Sequence, residues 1–263
     1  MSDSGADFSI ETRLWADGFR HVAGVDEAGR GPLAGPVVAA AVILAPDWDE
    51  AVRLDDSKRL TPEQREAAFP VIRSRALAWR VSLAPPEEID RVNILQATLS
   101  AMARAVSGLR VDPDWVLVDG DRLPAPEARR AGHDCGWECL VRGDGRSATI
   151  AAASILAKVV RDRLMRVYAR RYPDWGFAEH KGYGTAAHLA ALARFGASPI
   201  HRRSFRVGGK AMPLRNERAG SEGVAWARRE ARTAAAAADA GAPPTGAAPE
   251  PMARPRPPGT WKD

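Results

Sequence analysis

Residues 23–37 have the sequence AGVDEAGRGPLAGPV, which contains the most informative pattern in the chain. An apolar, strand-like run ends in the adjacent carboxylates Asp26 and Glu27 and leads into a glycine-rich turn that carries Arg30. A second apolar run, 37–44, follows the turn, so the pattern predicts two neighbouring strands. Carboxylates at a strand end suit a divalent cation, whereas backbone N–H groups and an arginine suit an anion. Cation and phosphate together indicate phosphodiester chemistry.

The two adjacent carboxylates impose a condition on the first strand. Successive side chains of a regular strand point to opposite faces of the sheet. Asp26 and Glu27 can therefore reach one site only if the strand ends or bulges there, and we expect the first strand to span 22–25. The glycines that follow make such an ending easy, because glycine adopts positive φ without steric cost.

Two other interpretations of this stretch remain open. The spacing of Gly29, Gly31 and Gly35 is similar to a dinucleotide-binding turn, but that turn must open a helix whose N-terminus holds the pyrophosphate. Pro32 and Pro36 oppose a helix, and the apolar run that follows predicts a strand. A plain hairpin with incidental charges is the second alternative.

Two further carboxylates follow predicted strands later in the chain. The apolar run 115–120 ends at Asp119 and Gly120, and the strand predicted over 137–141 is followed by Asp144. A continuous apolar run is typical of a buried parallel strand, and ligands bind at the carboxyl ends of strands in open α/β sheets. Asp119 should thus lie beside the carboxylates of the first strand. An ordinary Asp-Gly turn and a helix cap are the alternatives for these two residues.

The longest helical pattern, 147–172, carries candidate substrate contacts. Ser154, Lys158 and Arg161 fall on one face of this helix, since they are spaced at i, i+4 and i+7. A hydroxyl and two cations on one stripe are either solvated surface or a phosphate-binding face. Because the predicted carboxylates lie nearby, we favour a phosphate-binding face.

Two loops also carry candidate substrate contacts. Ser57 and Lys58 precede a helix that Thr61 and Pro62 should begin, and capping or ordinary surface charge is the alternative for them. Tyr183 lies between two glycines, and an exposed aromatic ring there can stack on a sugar or a base. From the residues alone, capping and surface charge are favoured for Ser57 and Lys58, whereas Tyr183 is expected to face a nucleic acid.

The composition predicts one folded domain with a C-terminal tail. The chain has 263 residues, of which 45% are hydrophobic, enough for one core. We expect an N-terminal arm (1–20), a folded domain (21–207) and a disordered tail (208–263). The tail is rich in Ala, Pro and Arg and buries too little apolar surface to offset the entropy of ordering. The order of strands and helices predicts an α/β fold with a mixed sheet whose first three strands are antiparallel.

Charge, cysteine content and hydropathy limit the location and the partners. The net charge of +5 favours an acidic partner, although the excess is modest. No stretch is long and apolar enough to predict a membrane span, and the first residues lack the pattern of a secretory signal. Cys135 and Cys139 should be free thiols. We therefore expect a cytoplasmic protein, with a monomer as the default.

Five spaced motifs resemble the ribonuclease HII family, the bacterial type 2 ribonucleases H. They are DEAGRGPLAGPV from Asp26, DSKRL at 56–60, VDG at 118–120, RGDGRSATIAAASILAKVVRDRLM at 142–165 and HKGYGT at 180–185. The resemblance implies a ribonuclease H-like fold, with a mixed five-stranded sheet flanked by helices and a small helical C-terminal element. It also implies endonucleolytic cleavage of the RNA strand of RNA–DNA hybrids and of duplex DNA 5′ of embedded ribonucleotides. The implied products carry 3′-hydroxyl and 5′-phosphate ends.

The resemblance also implies roles for individual residues. Four carboxylates would serve as metal ligands and catalytic residues: Asp26, Glu27, Asp119 and Asp144. The implied substrate contacts lie in three loops: Gly29, Arg30 and Gly31; Ser57 and Lys58; and Tyr183. In the family, the backbone of the glycine loop and the tyrosine recognise the ribose 2′-OH at the RNA–DNA junction.

The donor set predicts the metal. Carboxylate oxygens favour Mg²⁺ or Mn²⁺ over zinc, and two such ions can activate a water and stabilise the leaving oxygen of an in-line displacement. Carboxylates crowded in a poorly solvated site repel one another, so the metal-free site should be destabilised. Two functions from other classes stay open: a non-catalytic nucleic-acid-binding module, and a nucleotide-binding oxidoreductase built on the glycine turn.

Overall fold

The computed structural model describes residues 5–48, 54–129 and 135–213. Three short 3₁₀ turns lie at Pro126–Ala128, Gly143–Gly145 and Pro173–Trp175. The helices are α1 (Ser9–Ala16), α2 (Pro62–Arg75), α3 (Pro86–Val92), α4 (Ile94–Ser107), α5 (Ala148–Arg171), α6 (Phe177–His180) and α7 (Ala186–Phe195). The strands are β1 (Val22–Ala28), β2 (Val37–Ile43), β3 (Ala78–Ala84), β4 (Trp115–Asp119), β5 (Gly136–Leu140), β6 (Arg206–Val207) and β7 (Lys210–Ala211).

The main sheet has five strands in the order β3-β2-β1-β4-β5. The pairs β1–β2 and β2–β3 are antiparallel, whereas β4 is parallel to β1 and β5 is parallel to β4. The predicted mixed α/β sheet, with its first three strands antiparallel, is confirmed. Its central strand is β1, which carries the adjacent carboxylates.

Helices cover both faces of the sheet because β2 is apolar on both sides. All seven residues of β2 are buried. Val38, Ala40 and Val42 belong to the core under α2 and α5. The alternate residues Ala39 and Ala41 belong to a second core under α4. The small alanines allow both helical layers to approach the sheet closely.

Gly24 brings α5 against the central strand. A Cβ at this position would lie 2.2 Å from the carbonyl carbon of Thr149 in α5. Real Cβ atoms do not approach backbone atoms so closely, so any side chain would push the helix away from β1. Gly24 thus fixes the distance between α5 and the strand that carries Asp26.

The first strand is longer than the sequence analysis predicted. We expected it to span 22–25, but its ladder with β2 continues through Asp26, Glu27 and Ala28. The reason is that β2 supplies backbone partners up to Ala28, and the turn begins only at Gly29, whose φ is +98°. The strand neither ends nor bulges at the carboxylates, so Asp26 and Glu27 leave it on opposite faces.

The N-terminal arm packs on the start of α5. Glu11 of α1 is fully buried, and its Oε1 accepts hydrogen bonds from Ser147 Oγ at 2.6 Å and from Thr149 N at 2.9 Å. An acidic group near the N-terminus of a helix is stabilised by the unpaired N–H groups there. The arm therefore holds the end of α5 that follows Asp144.

The folded structure continues past the boundary predicted at residue 207. The two-stranded sheet β6–β7 spans that boundary, Met212 is buried, and Ala197 N donates to Pro213 O. The rest of the predicted tail, 214–263, lies outside the described residues. Among the described residues, Cys135 and Cys139 are free thiols, as predicted. None of the helices in the described part of the chain could cross a membrane.

Candidate active site

The structure brings three of the four predicted carboxylates together. Asp26 lies near the end of β1, Asp119 ends β4, and Asp144 lies in the 3₁₀ turn before α5. One carboxylate oxygen of each lies within 4.8 Å of the others. Asp26 and Asp144 are buried and Asp119 is half-buried. This group is called the aspartate triad below.

The strand register explains why the triad forms. Val25 pairs with Val118 in the parallel ladder between β1 and β4, so Asp26 and Asp119 follow one step later on the same face. Asp119 Oδ1 then accepts a 2.7 Å hydrogen bond from Gly143 N, which fixes the turn that carries Asp144. Two strand ends and one tight turn thus place three carboxylates at one edge of the sheet.

The electrostatics of the triad match a cation site. Burial raises the pKa of Asp26 well above its usual value, and the charges of Glu27 and Asp119 raise it further. Burial and the charge of Asp144 also raise the pKa of Asp119. Hard carboxylate oxygens held this closely are the ligands that a small divalent cation prefers. The residues therefore fit the metal that the sequence predicts.

Glu27 is the fourth carboxylate and lies beside the triad without belonging to the 4.8 Å group. Its side chain is 13% exposed, and its Oε1 is 3.4 Å from Arg30 Nη1. Burial raises the pKa of Glu27, and the charge of Arg30 acts in the opposite direction. Glu27 is nevertheless close enough for its charge to raise the pKa of Asp26.

Lys58 and Ser57 approach the triad from the loop before α2. Lys58 Nζ donates to Asp144 Oδ2 at 2.9 Å, while its side chain stays 77% exposed. Ser57 is buried, and its Oγ accepts a 2.8 Å hydrogen bond from Ser154 Oγ. Ser154 also lies close enough to Asp26 to lower the pKa of that carboxyl, which partly offsets the effect of burial. The predicted loop thus contacts the triad directly.

The face of α5 that was predicted to bind phosphate is mostly covered in the structure. Ser154 and Arg161 are buried, and Lys158 is half-buried with its Nζ 2.8 Å from Asp162 Oδ1. The reason is that loops pack over this face of the helix. A helical periodicity identifies residues that share a face, but it does not identify what covers that face.

Arg161 and Arg202 hold the glycine loop, which we define as residues 29–36. Arg161 donates from Nε to Pro36 O and from Nη2 to Ala34 O. Arg202 donates from its three guanidinium nitrogens to backbone oxygens of Gly29, Arg30 and Gly35. Both arginines are fully buried. The sequence analysis noted no role for Arg202, because a contact with backbone carbonyls far away in the chain leaves no local pattern.

Tyr183 lies beside the glycine loop. Its side chain is 46% exposed, and a Cβ at Gly31 would lie 3.8 Å from its ring. The backbone agrees with this placement, since Leu33 N donates to Gly182 O at 2.8 Å. The structure thus joins the two segments that the resemblance paired. Arg30 and Gly31 are exposed at this surface, whereas Gly29 is buried.

A chain of histidines supports the loop of Tyr183. Ser198 N donates to His201 Nδ1 at 2.8 Å, so His201 Nε2 carries the proton that it shares with His188 Nε2 at 2.9 Å. His188 Nδ1 then donates to Tyr183 O at 2.9 Å. Burial lowers the pKa of His188 to about 4 and of His201 to about 3. Both histidines are therefore neutral at pH 7 and hold the loop as hydrogen-bonding groups.

The fold and the site define a class of protein. A carboxylate triad that fits a divalent cation lies beside a lysine, a glycine loop and an exposed tyrosine, which is the arrangement of a metal-dependent nuclease. The sequence model of the family "Ribonuclease HII" matches residues 23–207. The chain belongs to the ribonuclease HII family, and it is a metal-dependent endoribonuclease with ribonuclease H activity.

Curated relatives agree with this family. The chain is 58% identical to ribonuclease HII of Dechloromonas aromatica over 184 residues, which cover 70% of this chain and 90% of the relative. It is 53% identical to ribonuclease HII of Syntrophotalea carbinolica over 200 residues, which cover 75% of this chain and 90% of the relative.

Solved structures share the fold. Ribonuclease H2 of Pyrococcus horikoshii is 28% identical, with a TM-score of 0.58, and the match covers 81% of this chain and 99% of that one. A structure of ribonuclease HII of Archaeoglobus fulgidus in complex with PCNA is 26% identical, with a TM-score of 0.55. That match covers 66% of this chain and 87% of the other. The ribonuclease H-like fold expected from the resemblance is thus confirmed.

Proposed function

We propose that the protein hydrolyses the RNA strand of RNA–DNA hybrids and nicks duplex DNA on the 5′ side of embedded ribonucleotides. The products would carry 3′-hydroxyl and 5′-phosphate ends. The observation that supports this proposal most directly is the aspartate triad, whose oxygens lie within 4.8 Å of one another beside an exposed tyrosine and a glycine loop. One edge of the molecule thus offers both a metal site and a surface for a sugar-phosphate backbone.

Within this proposal, Asp26, Asp119 and Asp144 hold divalent cations, with Glu27 as the fourth carboxylate. Two Mg²⁺ or Mn²⁺ ions would activate a water and stabilise the leaving oxygen of the displacement at phosphorus. The backbone N–H of Glu27 donates to Asp26 Oδ1 and orients this carboxylate, and Ser154 lies beside it.

The substrate contacts follow from exposure. Lys58 is exposed beside Asp144, so its ammonium can bind a phosphate next to the metal site. Arg30, Gly31 and Tyr183 form an exposed surface where the ribose would lie, and contact with its 2′-OH distinguishes RNA from DNA. Lys158 contributes positive charge nearby. Ser57, Ser154, Gly29 and Arg161 act from the interior by supporting these contacts.

The two alternative functions agree less well with the structure. A binding module without catalysis has no use for three clustered carboxylates that repel one another. A dinucleotide-binding oxidoreductase needs a helix after the glycine turn, but strand β2 follows it. A monomer is the expected state, and the free thiols favour a cytoplasmic location.

The experiment that tests the proposal is cleavage of a labelled DNA duplex containing one ribonucleotide. It is run with Mg²⁺, with Mn²⁺ and with a chelator, alongside the Asp26→Asn variant. We expect one metal-dependent nick immediately 5′ of the ribonucleotide, which the variant does not make. Tight binding without any nick would instead support the non-catalytic module.

A further inference from the structure

The glycine loop is held from below by two buried cations. Arg161 and Arg202 together bind five backbone carbonyl oxygens of residues 29–36, at donor–acceptor distances of 2.5–3.2 Å. Placing two guanidinium groups together in the interior is unfavourable: burial and the charge of Arg161 both lower the pKa of Arg202. An arrangement that costs free energy, yet binds one loop at five points, indicates that the shape of this loop matters.

The carbonyl contacts determine which way the loop's N–H groups point. Every peptide bond in the described residues is trans, so each C=O is antiparallel to the N–H of the next residue. Arg202 binds the carbonyl oxygens of Gly29 and Arg30. The N–H groups of Arg30 and Gly31 are therefore directed away from Arg202, and both residues are exposed. Arg202, which lies beneath the glycine loop, thus determines which way the exposed N–H groups of the loop point.

Only an arginine can make this set of contacts. Its planar guanidinium presents donors on three nitrogens in fixed directions, whereas lysine presents its three donors from a single atom. Arg202 uses Nε for Gly35 O, Nη1 for Arg30 O and Nη2 for Gly29 O. A lysine at this position would keep the charge but would hold fewer of the carbonyls.

Arg202 is itself fixed by its surroundings. Its backbone N–H donates to Leu33 O. Asp90, at α3, accepts hydrogen bonds from the backbone of Arg203 and Ser204 at 2.9 Å each. The segment that carries Arg202 is thus anchored to a helix on one side and to the glycine loop on the other.

We propose that Arg202, assisted by Arg161, is a positioning residue that sets the preference of the enzyme for ribose over deoxyribose by fixing the Arg30 and Gly31 peptide groups. This inference rests on the proposed function, in which those peptide groups contact the 2′-OH. Arg202 does not touch the substrate. It acts through the orientation of the loop.

The test uses Arg202→Lys in the full-length chain, with Arg194→Lys, an exposed arginine on α7, as the matched control. Binding of a duplex with one ribonucleotide and of the all-DNA duplex is measured with a chelator present, and cleavage is measured with Mn²⁺. We expect Arg202→Lys to lose the binding preference and about 10²-fold in kcat/KM, since a small misplacement costs this much. Its affinities for all-DNA duplex and for Mn²⁺ should match wild type, and Arg194→Lys should keep the preference.

The outcomes separate this inference from the proposed function. A wild type that does not nick the ribonucleotide duplex overturns the proposed function, whatever the variant does. A wild type that nicks, with an Arg202→Lys variant that keeps its preference or weakens binding to both duplexes equally, overturns only the inference. If Arg202→Lys does not fold, Asp90→Asn disturbs the anchoring of the same segment from a half-buried position. It should reduce the preference partially, and an unchanged preference would then count against the proposal.

Discussion

The aspartate triad and the two arginines beneath the glycine loop are neighbouring regions that both bury like charges but stabilise them in different ways. The triad leaves like charges facing one another, so burial and repulsion raise the pKa of Asp26 and of Asp119. Beneath the loop, the cations of Arg161 and Arg202 are each hydrogen-bonded to carbonyl oxygens, and the nearby histidines are neutral. The triad needs a bound cation to offset its repulsion, whereas the two guanidinium groups are held in the metal-free protein by hydrogen bonds to five loop carbonyl oxygens, with Arg161 Nη1 left without a partner among the described residues. The triad is thus suited to bind a cation, whereas the two arginines maintain the conformation of the glycine loop.

The largest effect should come from neutralising the triad at its centre. We expect Asp26→Asn to reduce cleavage by about 10³-fold or more, because the metal site supplies several kcal/mol of transition-state stabilisation. The same change should raise the melting temperature of the metal-free protein, since it removes one of the repelling charges. The measurements are nicking of the ribonucleotide duplex and thermal unfolding with chelator. Asp121→Asn is the matched control, because Asp121 is 78% exposed and lies outside the triad; equal behaviour of the two variants would contradict the comparison.

A second substitution asks whether Glu27 belongs to the triad or to the other face of β1. Because Glu27 Oε1 lies 3.4 Å from Arg30 Nη1 and Glu27 is not one of the three clustered aspartates, Glu27→Gln should weaken Mn²⁺ binding less than Asp119→Asn does. Cleavage should fall about 10–100-fold, as for a group that tunes a metal site. Calorimetric titration with Mn²⁺ and the nicking assay measure both effects. Complete loss of Mn²⁺ binding in Glu27→Gln would show that the four carboxylates act as one set.

The pH dependence of stability should have opposite signs in the two regions. The pKa of His201 is lowered to about 3, so the unfolded chain takes up protons first below about 6.5. The histidine contribution to stability is thus present above pH 6.5 and is lost as the pH falls toward 4. The raised pKa of Asp26 acts the other way, because protonation favours the folded state and the contribution is lost as the pH rises.

His201→Gln isolates the histidine part of this behaviour. The variant should be about 1–3 kcal/mol less stable than wild type at pH 7, because it breaks a buried hydrogen-bond chain. The two unfolding free energies should converge as the pH falls from 6.5 to 4, since only wild type loses the histidine term. Denaturant unfolding at four pH values measures this. A constant gap would mean that His201 is not held neutral by its surroundings.

The smallest effect concerns Lys58, which occupies one oxygen of Asp144 in the metal-free protein. Because its side chain is 77% exposed, the ion pair contributes at most about 1 kcal/mol. Lys58→Met should therefore tighten Mn²⁺ binding by no more than about fivefold, while cleavage falls if the ammonium binds a phosphate. Arg122→Met removes a positive charge from a side chain that is 69% exposed and serves as the control. Weaker Mn²⁺ binding in Lys58→Met would exclude competition between the lysine and the metal.

Much of the fold could be predicted because its strands are short apolar runs with clear ends. The same logic predicted Asp119 at the end of one strand and Asp144 just after another, and parallel strands bring such ends to one edge. The extent of β1 was not predictable, since it depends on the backbone partners that β2 supplies beyond Asp26. The burial of Arg161 was missed because it depends on a loop that folds over α5, and Arg202 was missed because it binds carbonyls, which every residue has.

The register of the ladder between β1 and β2 determines whether the aspartate triad can form. Asp26 faces α5 in the observed register, in which it pairs with Ala40. A slip of one residue would turn Glu27 to that face and send Asp26 to the other, because side chains alternate along a strand. A misregistered molecule could keep its secondary structure and still lack the triad. The specific activity of a refolded sample therefore reflects the fraction of molecules in the correct register. Spectroscopic measurements of helix and strand content do not distinguish these molecules from misregistered ones.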